Sequence, residues 1–115
     1  MLLEPGNKLM VAHRRLFEKD APRFFVGEVL AYQDGIVKLR GYSFVRDISS
    51  GRLLRKDDPR TKLVALASGS CIVYQLPDPV DVASVEIEWS HRDLLLKADG
   101  GVIMDLAELP HDGRI

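Results

Sequence analysis

Phe24-Phe25-Val26-Gly27-Glu28-Val29-Leu30-Ala31-Tyr32-Gln33-Asp34-Gly35-Ile36-Val37-Lys38-Leu39-Arg40-Gly41-Tyr42-Ser43-Phe44 is the stretch that decides the fold class. Residues 23–33 are dense in aromatic and β-branched side chains, the composition of a strand. Asp34-Gly35 is a hairpin-turn dipeptide, because glycine accepts the positive φ that a tight turn requires. The return strand alternates, with Val37 and Leu39 on one side and Lys38 and Arg40 on the other. After Gly41 the parity flips, and Tyr42 and Phe44 occupy the even positions. A one-residue slip in a period-two pattern requires a bulge or a bend, and glycine permits either. The strand is therefore expected to bend sharply near Gly41.

Upstream of this hairpin the spacing predicts a helix over 7–19. Asn7 follows Pro5-Gly6 as a cap, and Leu9, Ala12, Leu16 and Phe17 recur at helical spacing opposite Lys8, Arg14, Arg15 and Glu18. Pro22 ends it, since proline lacks an amide donor and disfavours a helical Ala21.

Downstream, residues 47–62 are polar and charged and read as a protruding hairpin or loop. Two apolar runs, 63–67 and 71–76, are joined by Ser68-Gly69-Ser70 and read as strands apolar on both faces, as central or interface strands are. Pro77-Asp78-Pro79 breaks the sheet. The last third reads as a meander. Val85, Ile87 and Trp89 alternate with Glu86 and Glu88, Ser90-His91-Arg92 turns, and Leu94, Leu96 and Ala98 share a face. Asp99-Gly100-Gly101 turns again before Val102, Met104 and Leu106.

The fold expected from these elements is all-β with one N-terminal α-helix: a strongly bent small β-barrel or sheet plus a C-terminal antiparallel β-meander. With 115 residues and 46% hydrophobic content, one domain over 1–115 is expected, divided into the 7–19 helix, a 23–79 bent barrel core and an 80–109 meander. No apolar run reaches the ~18–20 residues that span a bilayer, and the first residues carry no secretory pattern. A soluble, cytoplasmic protein without a membrane partner is the expectation. The single cysteine, Cys71, rules out an internal disulfide framework. The net charge of −1 conceals an asymmetry: residues 1–62 hold 13 Lys/Arg against 8 Asp/Glu, and residues 63–115 hold 3 against 9. Copies of such a chain can dock basic face to acidic face.

Two stretches resemble the Sm-like fold, a short helix followed by a strongly bent five-stranded sheet. Phe25-Val-Gly27-Glu-Val29 through Asp34-Gly-Ile-Val-Lys-Leu39 is similar to the first Sm motif. Leu66-Ala-Ser-Gly69-Ser-Cys-Ile72-Val-Tyr-Gln-Leu76 is similar to the second. The resemblance spans about residues 7–79 and implies an Sm-like homo-oligomeric ring closed by edge-strand pairing. It does not carry over the uridine site. Ile36 and Val37 stand where RNA-binding members have a stacking residue and Asn, and Ser68 stands where they have a basic residue.

Individual motifs weigh little. His91-Arg92-Asp93 spells a kinase tripeptide in a chain far too short for a kinase and reads as a turn. Asp57-Asp58 is surrounded by Arg55, Lys56 and Arg60 and reads as a solvated loop. His13, His91 and His111 lie apart, Cys71 reads as a buried structural thiol, and Trp89 reads as core. No catalytic residue, metal ligand or cofactor site is expected, and the chain is read as no enzyme. The one weighted signal is a basic set for nucleic acid or another partner: Lys38, Arg40, Arg46, Arg52, Arg55, Lys56, Arg60 and Lys62, with Tyr42 and Phe44 interleaved for base stacking. Asp47, Asp57 and Asp58 dilute it.

The function expected is a non-enzymatic binding or assembly module, a homo-oligomeric ring that presents the 38–62 surface to nucleic acid. The alternative is a regulatory domain that binds a small molecule or a protein in an apolar groove between barrel and meander.

Overall fold

The structure is a computed structural model that describes residues 3–13, 23–47, 49–90, 93–98 and 101–105. Among the described residues nine strands form two antiparallel sheets. The first contains β1 (Lys8–His13), β2 (Phe24–Gln33), β3 (Ile36–Arg46), β4 (Leu53–Arg55), β5 (Arg60–Ala65) and β6 (Cys71–Leu76). Its order is β4-β3-β2-β1-β6, with β5 also on β3. The second sheet is a meander of β7 (Glu86–Ser90), β8 (Asp93–Ala98) and β9 (Gly101–Asp105), preceded by a single 3₁₀ turn at Val82–Ser84.

Over its described part the expected N-terminal helix is replaced by a strand: Lys8–His13 is β1, paired with β2 on one edge and β6 on the other. Asn7 caps a turn instead, its Oδ1 accepting from the Glu4 amide at 2.8 Å. The cause is burial on both faces. Leu9 and Val11 enter one core while Met10 enters a second, with Ala12 packed against it. Such a strand reads as an unbroken apolar run, from which helical spacing can be picked out. The 14–19 part of the expected helix lies outside the described residues, as do the 91–92 and 99–100 turns, His91, His111 and residues 106–109 of the expected meander.

The β2–β3 hairpin is as expected. Asp34 and Gly35 take φ values of 51° and 80°, the doubly left-handed backbone of a type I′ turn. The parity change after Gly41 has a different origin from the expected slip. Register between β2 and β3 is unbroken from Phe24↔Phe44 to Val29↔Leu39, and its shift lies at Val29/Ala31. What changes along β3 is which face is covered. Val37 and Leu39 enter the concave core with Leu9, Val11, Phe25 and Val29, whereas Phe44 enters the convex core with Met10, Phe24, Val26 and Leu76. The meander covers the convex side through Ile87, Leu94, Leu96 and Ala98.

Gly41 instead marks a close approach of β3 to β2. A Cβ there would lie 1.9 Å from the Val26 carbonyl oxygen and 2.5 Å from Gly27 Cα. In an ordinary antiparallel pair the Cβ atoms of opposite residues are about 4.5–5.5 Å apart, so the two backbones have closed on each other. At the same level the neighbour on the other edge of β3 changes from β5, which pairs 36–41, to β4, which pairs 44–46. Residues 47–62 are thus not all loop: β4 and the first half of β5 extend the sheet. β5 pairs only with β3 and β6 only with β1 among the described residues, so the sheet coils without closing into a barrel.

Candidate functional site

The β3–β5 register sorts the expected basic surface. Residues directly opposite one another share a face. Arg40 faces Thr61 and Lys38 faces Leu63, all on the convex side, while Lys62 faces the buried Leu39 and Arg60 faces Gly41 on the concave side. Along β3, Lys38, Arg40, Tyr42 and Arg46 lie on the convex side, and Arg55 joins them opposite Phe44. Arg52 and Lys56 flank β4. The eight basic residues and Tyr42 do not form one surface.

On the convex side, Lys38, Arg40 and Arg46 are exposed, and Arg40 Nη1 donates to Thr61 Oγ1 at 3.4 Å. The aromatic residues are not available for stacking. Phe44 is buried, and half-buried Tyr42 packs against the convex core with the Arg55 guanidinium 4.8 Å from its ring centroid. Arg55 also donates to the Ala83 carbonyl. It works as a strut between β4 and the 3₁₀ turn, which Asp81 caps by accepting from the Ala83 amide at 3.0 Å. The 47–52 turn is tied by Asp47, whose carboxylate accepts from both Ser49 and Ser50 hydroxyls. These hydrogen bonds, Ser50's first, hold the Asp47 carboxyl below its ordinary pKa.

On the concave side, Lys62 Nζ lies 4.7 Å from the Phe25 ring centroid. Burial lowers its pKa, with Arg60 and then Arg23 adding to the effect. His13 is lowered by burial first and then by Lys62 and Arg23. Neither His13 nor Arg23 belongs to the expected set. They meet because His13 ends β1 and its amide donates to the Arg23 carbonyl at 3.0 Å, closing the β1–β2 hairpin. With 7–19 read as a helix, no signal in the sequence could join them. Cys71, opposite His13 on β6, is half-buried rather than fully buried.

A cleft of about 840 Å³ separates β4 from β7 and the 3₁₀ turn. Its floor is apolar, from Phe44, Leu53, Val85 and Ile87, but Arg52, Arg55, Asp57, Glu86 and Glu88 also line it. This cleft lies between the sheet and the meander, where an apolar groove is expected, but charged residues of both signs line it beside the apolar ones. Among the described residues no three His, Cys, Asp or Glu side chains come together to hold a metal, and no helix is long and apolar enough to cross a membrane. No family model, no curated protein and no solved structure matches this chain.

Proposed function

We propose that the protein is a non-enzymatic assembly module that associates with copies of itself through the free edges of β5 and β6. The observation that carries this reading is the pair of six-residue edges, unpaired among the described residues, at the two margins of one coiled sheet. An open strand edge offers a row of unpaired N–H and C=O groups, and proteins that stay monomeric protect such edges with charge, proline or a covering element. β6, Cys-Ile-Val-Tyr-Gln-Leu, carries no charge and no proline. Leu63 on β5 and Ile72 on β6 are 71% and 39% exposed. The two edges differ, so pairing β5 of one copy with β6 of the next is heterologous and generates a ring when the rotation closes. That is the assembly the Sm-like resemblance implies.

In such an assembly Lys38, Arg40 and Arg46 repeat around the ring as a cationic row fit for a nucleic-acid backbone, with phosphate contact and no base stacking. The cleft beside β4 supports the second reading, a small molecule or protein segment held between sheet and meander. A ligand-dependent rise in melting temperature distinguishes it.

Light scattering on a size-exclusion column, at low and high salt, tests the assembly. A fixed multiple of 12.9 kDa that Ile72→Lys reduces to the monomer is the expected result. A 12.9 kDa species at micromolar concentration in both salts contradicts it. For nucleic acid, affinity must fall steeply with salt, and Lys38→Ala/Arg40→Ala must lower the slope of log K on log salt by about 2.

A further inference from the structure

One end of the concave face gathers His13 of β1, Arg23 just before β2, and Arg60 and Lys62 of β5, and no carboxylate is among the described charges that act on His13 or Lys62. Alternation along β1 puts His13 on the side of Leu9 and Val11, and Arg23 is two residues before Phe25 on the same side of the β2 chain. Arg60 and Lys62 project from β5 on the side of Gly41 and Leu39. Lys62 lies against the Phe25 ring, and His13 is bonded through its backbone to Arg23. The charges that act on His13 are Lys62 and Arg23, and those that act on Lys62 are Arg60 and Arg23. All have one sign. Lys62 and His13 are half-buried beside the exposed Arg23 and Arg60, and the cost of holding positive charge there is one that a bound counter-ion relieves.

We infer that His13, Arg23, Arg60 and Lys62 form an anion site at this end of the concave core, and that it takes a phosphate group. Two guanidiniums and an ammonium match the several acceptor oxygens and double charge of a phosphate better than they match a carboxylate or a halide. Lys62 occupies the Phe25 ring face, so a nucleobase finds no stacking platform there and recognition ends at the phosphate. The site does not depend on the assembly reading, and neither Lys38 nor Arg40, on the opposite face, belongs to it.

Two sources carry this chemistry, a small phosphate compound and a nucleic-acid backbone. The test is titration of the full chain with inorganic pyrophosphate and, separately, with an unstructured oligonucleotide, by calorimetry at low salt and by NMR of the His13 imidazole. Pyrophosphate binding is expected to raise the pH at which His13 titrates, because the cations around it are neutralised. Lys62→Met and Arg60→Met each weaken binding by about tenfold or more, as loss of a charge-assisted hydrogen bond does. Lys38→Met leaves it unchanged. Binding of pyrophosphate assigns the site to small phosphates, whereas binding of the oligonucleotide alone, with the same loss in Lys62→Met, assigns it to a phosphodiester backbone. The segment from Arg14 to Pro22 carries Glu18 and Asp20. Binding that appears only in Glu18→Gln/Asp20→Asn means that the chain neutralises its own cluster, and overturns the site. So does the absence of any heat or His13 shift with either probe, a result that holds even if the Lys62 and Arg60 variants do not fold.

Discussion

Gly41 lies directly opposite Gly27 across β2 and β3, so close that a Cβ on Gly41 would fall 2.5 Å from Gly27 Cα. This contact separates two regimes of one sheet. On one side of it β3 feeds the concave core through Val37 and Leu39, and on the other it feeds the convex core through Phe44.

Gly41→Ala therefore cannot be absorbed by a rotamer change, because the obstructing atoms are backbone. A loss of about 3 kcal/mol or more is expected, at the upper end of overpacking effects. Gly35→Ala provides the comparison. It has φ +80° and no atom within 4 Å of its would-be Cβ, so it loses only about 1 kcal/mol through left-handed backbone strain. Urea denaturation of both variants measures the contrast, and equal losses would refute the close approach.

Arg55 belongs to the packing more than to a ligand surface. Arg55→Met removes the contact with the Tyr42 ring and the hydrogen bond to Ala83, for an expected loss of about 1–2 kcal/mol. The denaturation midpoint is expected to fall with the slope unchanged. A midpoint equal to the wild type would remove Arg55 as a strut.

His13 gives the protein an acid sensitivity. Its folded pKa lies below the ordinary value of about 6.5, so the unfolded chain takes up a proton first as pH falls. Stability is thus intact above this value and declines as pH drops through it. Lys62, shifted in the same direction, acts only in the alkaline range, and Asp47 only below about pH 4. Denaturation midpoints at pH 7.5 and 5.5 are expected to differ in the wild type and to converge in His13→Asn. An equal drop in both would place the sensitivity elsewhere.

The sequence made legible those elements that announce themselves locally. The Asp34-Gly35 hairpin has its turn chemistry, β6 ends where Pro77 begins, and β7 has strict alternation. β1 was hidden because burial on two faces erases alternation over Leu9 to Ala12. The start of β5 was hidden because Arg60, Thr61 and Lys62 carry a loop's polarity while paired to β3. For the site, the basic residues of 38–62 were visible but their division between two faces was not, since that depends on the β3–β5 register. The cluster around Lys62 needed the same register and the β1–β2 hairpin as well.

Edge pairing is the central claim, and amide hydrogen exchange tests it most directly. An unpaired edge strand donates inward from alternate residues and leaves the amides between them open to solvent. At micromolar concentration every amide of β5 and β6 is expected to be protected to the level of β1, which is paired on both edges. Dilution is expected to release alternate amides of both strands together. Alternate fast exchange along β5 and β6 that does not change with concentration would contradict the account.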